Sequence, residues 1–105
     1  MKIKAKRVYL RRVYDDGNGE VLVAVCDAEL LGKRFKQGRL RLEVKTAFYQ
    51  GELSTIEEAM RALAGASVAN LVGEETVRAA VREGFVDPRA VIRFGEVPHV
   101  QMIHI

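Results

Sequence analysis

The sequence concentrates cations in one place. Lys33, Arg34, Lys36, Arg39, Arg41 and Lys45 fall within thirteen residues, with Phe35 among them and Glu43 as the single acid. Guanidinium and ammonium groups at this density neutralise phosphates and release counterions, and an aromatic ring beside them, Phe35 or Tyr49, offers a base a surface to stack on. Arg39, Arg41 and Lys45 alternate with Leu40, Leu42 and Val44, which on an extended strand puts the three cations on one face. The aromatic pair of single-stranded-RNA modules is missing, so the run carries no signal for sequence-specific readout. The same residues also read as a solvated strand face, because Lys and Arg keep sheet edges from pairing.

A second constellation is the inventory of a thiol nucleophile site: Cys26-Asp27 at the end of an apolar run, with Asn70 and His99 elsewhere. The plainer reading is a buried structural cysteine, since a free thiol usually packs as a small hydrophobe. Its apolar neighbours Val21–Val25 and the acid Asp27 both disfavour the thiolate, so the expectation is an inert thiol. His99 and His104 are five residues apart, an odd spacing that puts them on opposite faces of a strand and denies them a shared metal. A surface His104 and a half-buried His99 beside a turn follow from that. Gly32-Lys33 is no phosphate loop, because Asp27 stands where the loop needs its first glycine and Arg34 where it needs Ser or Thr. Gly17 and Gly19 open no helix, so a dinucleotide fingerprint fails too. Glu57-Glu58 and Glu74-Glu75 sit in first helical turns, where capping and the helix dipole account for them. The reading therefore contains no metal site and no cofactor.

These residues must be held by a chain of 105 residues and 11.7 kDa, the length of one domain. A composition of 49% hydrophobic and 30% charged residues excludes a disordered tail or a coiled coil. One cysteine excludes an internal disulfide and fits a reducing, cytoplasmic setting. The longest charge-free stretch, Ala62–Gly73, is too short and polar to span a bilayer, and the basic Met1–Arg12 stretch lacks a signal peptide's apolar run. Charge is uneven: residues 1–45 carry twelve Lys and Arg against six acids, whereas residues 46–105 carry five Arg against eight. The first half should attract polyanions or an acidic protein surface.

The first half reads as strands. Arg7–Tyr14 and Glu20–Cys26 are rich in β-formers and flank Asp15-Asp16-Gly17-Asn18-Gly19, a loop whose glycines and Asn supply positive-φ positions. The apolar run Val21–Cys26 belongs in the middle of a sheet. Asp27–Gly38 reads as a turn-rich connection, and Leu40–Val44 as a strand with Leu40, Leu42 and Val44 buried. The period then changes. Ser54 and Glu57 form a capping box, Ile56, Ala59, Met60 and Leu63 share one helical face, and Gly65 suits a left-handed stop. A second helix covers Glu74–Glu83 with Val77, Ala80 and Val81 as its stripe and Gly84 as its end. Ala66–Gly73 reads as buried, helical or a tight turn. Val91–Phe94 and Val100–Ile105 are short strands around the turn Gly95-Glu96-Val97-Pro98. The fold class is α+β: a small, largely antiparallel sheet of about five strands with two helices packed on one face, in the order β-β-β-α-α-β-β. The last strand has no evident partner, which places it at an edge and allows dimerisation by edge pairing.

Four segments carry a family likeness in the same order: Val21-Leu22-Val23-Ala24-Val25-Cys26-Asp27, Glu29-Leu30-Leu31-Gly32-Lys33, Ala69-Asn70-Leu71-Val72-Gly73-Glu74 and Gly95-Glu96-Val97-Pro98-His99-Val100-Gln101. From about Tyr14 onward the sequence resembles the archaeal domain-of-unknown-function family 424. The resemblance implies a small archaeal protein with no assigned catalytic residues, from a family whose genes tend to sit among translation genes. Within its motifs Cys26, Asp27, Asn70, Pro98, His99 and Gln101 stand as functional or structural positions.

Three readings follow. The first is a non-enzymatic, translation-linked accessory factor that binds RNA or a ribonucleoprotein through Lys33, Arg34, Lys36, Arg39, Arg41 and Lys45. The second is a protein–protein interaction module or a homodimer joined through an edge strand near Ile103. The third is a small enzyme using Cys26 and His99.

Overall fold

A computed structural model of the chain describes residues 7–15 and 17–104. Most of the basic N-terminal stretch, residues 1–6, lies outside the described residues, as do Asp16 of the first loop and the last residue of the expected C-terminal strand. The elements are β1 (Val8–Asp15), β2 (Glu20–Asp27), β3 (Arg34–Gln37), β4 (Leu40–Glu43), the single-turn α1 (Thr46–Tyr49), β5 (Glu52–Ser54), α2 (Ile56–Ala64), β6 (Val68–Val72), α3 (Glu74–Arg82), β7 (Ile92–Phe94) and β8 (Val97–Ile103). Six strands form one sheet in the order β5-β1-β2-β6-β8-β7, while β3 and β4 pair separately. Only β2 and β6 run parallel; the other neighbours in the sheet are antiparallel. The α+β class and the helix-covered face are as expected, and the sheet has one more strand than expected.

The apolar run of β2 lies in the centre, with Val23, Ala24, Val25 and Cys26 fully buried. Its side chains alternate between two cores. Val23 and Val25 join Val8, Leu10, Ala69, Leu71, Val100 and Met102 beneath α2 and α3. Ala24 and Cys26 join Val72 beneath Val44, Tyr49, Phe35 and Leu42 on the opposite face. Covered on both sides, a strand can be apolar throughout without exposing surface.

Five expectations need correction. Ala66–Gly73 contains no helix: Val68–Val72 is the strand between β2 and β8. Ala69 and Leu71 face one core and Val72 the other, an alternation that the small and polar residues of the segment conceal. Leu40–Val44 is no member of the main sheet. Its strand, β4, pairs only with β3, so Leu40 is 53% exposed while Val44 is buried. The helix cap is shifted by one residue. Thr55 Oγ1 accepts the Glu58 N–H at 3.2 Å, and Glu58 Oε1 accepts the Thr55 N–H at 3.1 Å. Ser54 is taken by the sheet, where it pairs with Val8. Gly65 ends α2 at φ −100°, with no left-handed turn. Finally, β8 is internal, lying between β6 and β7, and it begins at Val97, so Pro98 and His99 belong to a strand and the turn is Gly95-Glu96.

Candidate nucleic-acid interface

The β3–β4 hairpin gathers the cations. Its register sets Arg34 opposite Glu43, Phe35 opposite Leu42, Lys36 opposite Arg41 and Gln37 opposite Leu40. Pleating sends Phe35 and Leu42 one way, into the second core, and Arg34, Lys36, Arg41 and Glu43 the other way, into solvent. Two devices hold the ribbon. Val44 N–H donates to the Lys33 carbonyl and Gly32 N–H to the Val44 carbonyl, which extends the ladder at its base. At its far end Gln37 Oε1 accepts the Gly95 N–H at 3.0 Å, tying the hairpin to the β7–β8 turn. The reversal is Gly38-Arg39, and Gly38 takes the positive φ of 60° that this tight turn requires.

All six predicted cations are exposed. Arg39 occupies the turn and Lys45 precedes α1, so Arg39, Arg41 and Lys45 do not form one strand face as expected. The shared face is Arg34, Lys36 and Arg41. Within the cluster one ion pair forms, Arg34 to Glu43 at 3.6 Å. A groove of about 590 Å³ is lined by Arg34, Lys36, Arg41, Lys45 and Glu43 with Phe35 and Leu42. Tyr49 is 4% exposed and packs edge-on against Phe48 at 5.0 Å, so it is no stacking platform. Phe35 is half-buried in the second core. The face is therefore suited to a backbone of charges more than to bases.

The thiol constellation is not assembled. Cys26 pairs across the ladder with Val72, and Val72 with His99, so a whole strand separates thiol from imidazole, roughly 10 Å at ordinary strand spacing. Asn70 lies two rows further along, between Ala24 and Gln101, where Gln101 Nε2 donates to its Oδ1 at 2.8 Å. Cys26 is fully buried, and burial, helped by the nearby Asp27 charge, pushes its pKa up to about 12. Labelling of Cys26 by a thiol reagent at pH 7 should be slow in the native protein and fast in denaturant, because the thiolate is the reacting form. Fast native labelling would contradict the sealed environment.

His99 stands edge-on to Phe94 at 6.4 Å, and burial holds its pKa below the ordinary 6.5. The unfolded chain then binds a proton at His99 near pH 6.5 that the folded chain still refuses, so this group's contribution to stability is complete above that pH and is lost as pH falls below it. The urea midpoint should drop between pH 7.5 and pH 5.5, and His99→Gln should reduce that drop; an equal drop in both proteins would refute the assignment. His104 is exposed, with Nδ1 at 3.0 Å from the Ala66 carbonyl. Among the described residues no cluster of three or more His, Cys, Asp or Glu is arranged for a metal. No helix among them is long and apolar enough to cross a membrane.

Asp27 carries a role that its sequence neighbours do not reveal. Its buried carboxylate accepts the Glu75 N–H at 3.0 Å, the Thr76 N–H at 2.9 Å and the Thr76 hydroxyl at 2.8 Å. It thus caps α3 from β2, 48 residues away in the chain. Burial raises its pKa, and the Thr76 and Glu75 hydrogen bonds offset part of that rise. The one signal in the sequence is a helix opening on Gly73-Glu74-Glu75-Thr76 with glycine at the capping position, where Ser, Thr, Asp or Asn is usual. Pro98, fully buried, accepts the Gly73 N–H at 2.9 Å. Asp27, Gly73 and Pro98 therefore form one structural junction.

Comparison with known proteins adds the decisive observation. The model of a family described as "Protein of unknown function (DUF424)" matches residues 14–105. The chain belongs to this family. No curated protein matches it. Among solved structures, an uncharacterized conserved protein from the archaeon Methanopyrus kandleri is 28% identical with a TM-score of 0.74, over 91% of this chain and 90% of that one. The DUF424 chain shares with it a fold over nearly the whole length of both.

Proposed function

We propose that this DUF424 protein is a non-enzymatic, translation-linked accessory factor of the cytoplasm. It binds RNA, or the RNA of a ribonucleoprotein, through the β3–β4 hairpin. The observation that carries the reading is Lys36 directly opposite Arg41 on the open face of a two-stranded ribbon. Like charges directly opposite each other across a strand pair destabilise it. With Arg34 beside them and a single acid in the cluster, these cations are placed where a polyanion relieves the repulsion. The Arg and Lys side chains meet phosphates, and Phe35 and Tyr49 are turned inward, so the expected mode is backbone binding with little sequence preference.

NMR titration of the full-length protein with a structured RNA of about 20 nucleotides at low salt tests this. Amide shifts should concentrate in residues 33–45, leaving the outer faces of α2 and α3 unmoved. Shifts centred on the helices, or none at a several-fold excess of RNA, would refute the assignment.

A further inference from the structure

We propose that the cleft between α2 and the far half of β1 binds a nucleoside monophosphate, either free or as the 5′-phosphorylated end of a nucleic-acid strand. This goes beyond the RNA reading and stands independently of it, because α2 and the basic hairpin cover opposite faces of the sheet.

β1 runs on past the core. Val8, Leu10, Arg12 and Tyr14 alternate onto one face. Val8 and Leu10 are buried beneath the helices, whereas Arg12 and Tyr14 are exposed. Across the ladder Arg12 stands opposite Val23 and Tyr14 opposite Val21. The facing wall comes from α2, where Glu58, Arg61, Ala62 and the end residue Gly65 share one side of the helix. Together with Arg12, Tyr14 and Val21 they line a cleft of about 460 Å³. Small-ligand sites range over roughly 300–1,000 Å³.

The cleft carries more cation than anion. Arg12 reaches it from the strand and Arg61 from the helix, and neither makes an ion pair among the described residues. The acid in the lining is Glu58, whose Oε1 is held by the Thr55 N–H at 3.1 Å and the Thr55 hydroxyl at 2.9 Å. Arg61, in the last turn, complements the dipole of α2. That accounts for one guanidinium and not for Arg12 on the opposite wall. Two guanidiniums from different elements suit a phosphate, whose oxygens accept several charge-assisted hydrogen bonds at once. A ring stands beside them. Of the aromatic side chains among the described residues Tyr14 alone is exposed, at 66%. The apolar Val21 and Ala62 adjoin it in the lining. A flat base stacks on such a ring whatever its identity, so the cleft fits a phosphate joined to a base without choosing among bases.

Amide NMR titration of the full chain with AMP, adenosine and inorganic phosphate at low salt tests the proposal. AMP should shift residues 12–14, 21 and 58–65 and leave the hairpin, residues 33–45, unmoved. Adenosine and phosphate should each bind about tenfold weaker than AMP or less, because each meets only part of the cleft. Arg12→Gln and Arg61→Gln should each weaken AMP binding about tenfold through the lost charge-assisted bonds. Tyr14→Ala should weaken AMP and leave phosphate unchanged. These substitutions are at exposed positions, and a native amide spectrum shows each variant folded. A 5′-phosphorylated trinucleotide separates the two sources: tighter binding than AMP assigns a strand end, weaker binding a free nucleotide. The hairpin variant Lys36→Gln, Arg39→Gln and Arg41→Gln should bind AMP as the parent does, so failure of this site and failure of the RNA surface are separate results. No shift at about 5 mM AMP, shifts centred on the hairpin, or binding unaffected by both arginine variants would overturn the proposal.

Discussion

Gly73→Ala should destabilise the protein by about 4 kcal/mol. Gly73 sits at φ +112° and ψ 153°, a region that side chains other than hydrogen scarcely enter, at a cost of roughly 1–3 kcal/mol. The added Cβ would also run into the Asp27 carboxyl group, too close for either to stay. Moving Asp27 removes the cap of α3, worth about 1–2 kcal/mol, and leaves buried N–H groups at Glu75 and Thr76 short of an acceptor. Urea denaturation checks this. Asp27→Ala alone should cost about 3 kcal/mol by the same loss. The double variant should cost clearly less than the two singles together, because both remove one cap. A loss under about 1 kcal/mol for Gly73→Ala, or strict additivity, would mean that Asp27 does not hold the helix.

The second large effect is on binding. Lys36→Gln, Arg39→Gln and Arg41→Gln combined should weaken RNA binding at moderate salt by about a hundredfold. Each phosphate left without its cation also lowers the salt dependence by roughly 0.7–0.9. The same variant should be as stable as the parent or slightly more so, because the Lys36–Arg41 repulsion goes with it. Binding and stability moving in opposite directions is what separates a binding surface from a structural one.

What is legible in the sequence is whatever depends on local pattern. The apolar run of β2 announces a central strand, and α2 and α3 announce themselves by period, first-turn acids and, for α3, the terminal Gly84. What long-range pairing decides is hidden. The small, apolar Ala66–Gly73 fits a buried helix or a tight turn as well as a strand, and Val68–Val72 becomes a strand because β2 and β8 offer ladders on both sides. Leu40–Glu43 has an alternating pattern that fits a main-sheet strand equally well, and nothing local says that its partner is β3. The capping box expected at Ser54 and Glu57 falls at Thr55 and Glu58 because the β1–β5 ladder claims Ser54. The cation cluster is legible as a cluster, yet its shared face belongs to Arg34, Lys36 and Arg41, because hairpin register rather than sequence spacing sets which side chains are neighbours. Asp27 is visible as a motif position; the donors that its carboxylate serves, 48 and 49 residues on, are not.

Filter-binding of a structured RNA between about 50 and 300 mM monovalent salt tests whether the hairpin binds phosphates. The parent should show a log–log slope of roughly −3 to −4, as for about four neutralised phosphates, and the triple hairpin variant a slope shallower by about 2. Arg78→Gln with Arg82→Gln on α3 should leave the slope unchanged. No binding at 50 mM salt, or a slope that the hairpin variant does not alter, would contradict phosphate binding by the hairpin.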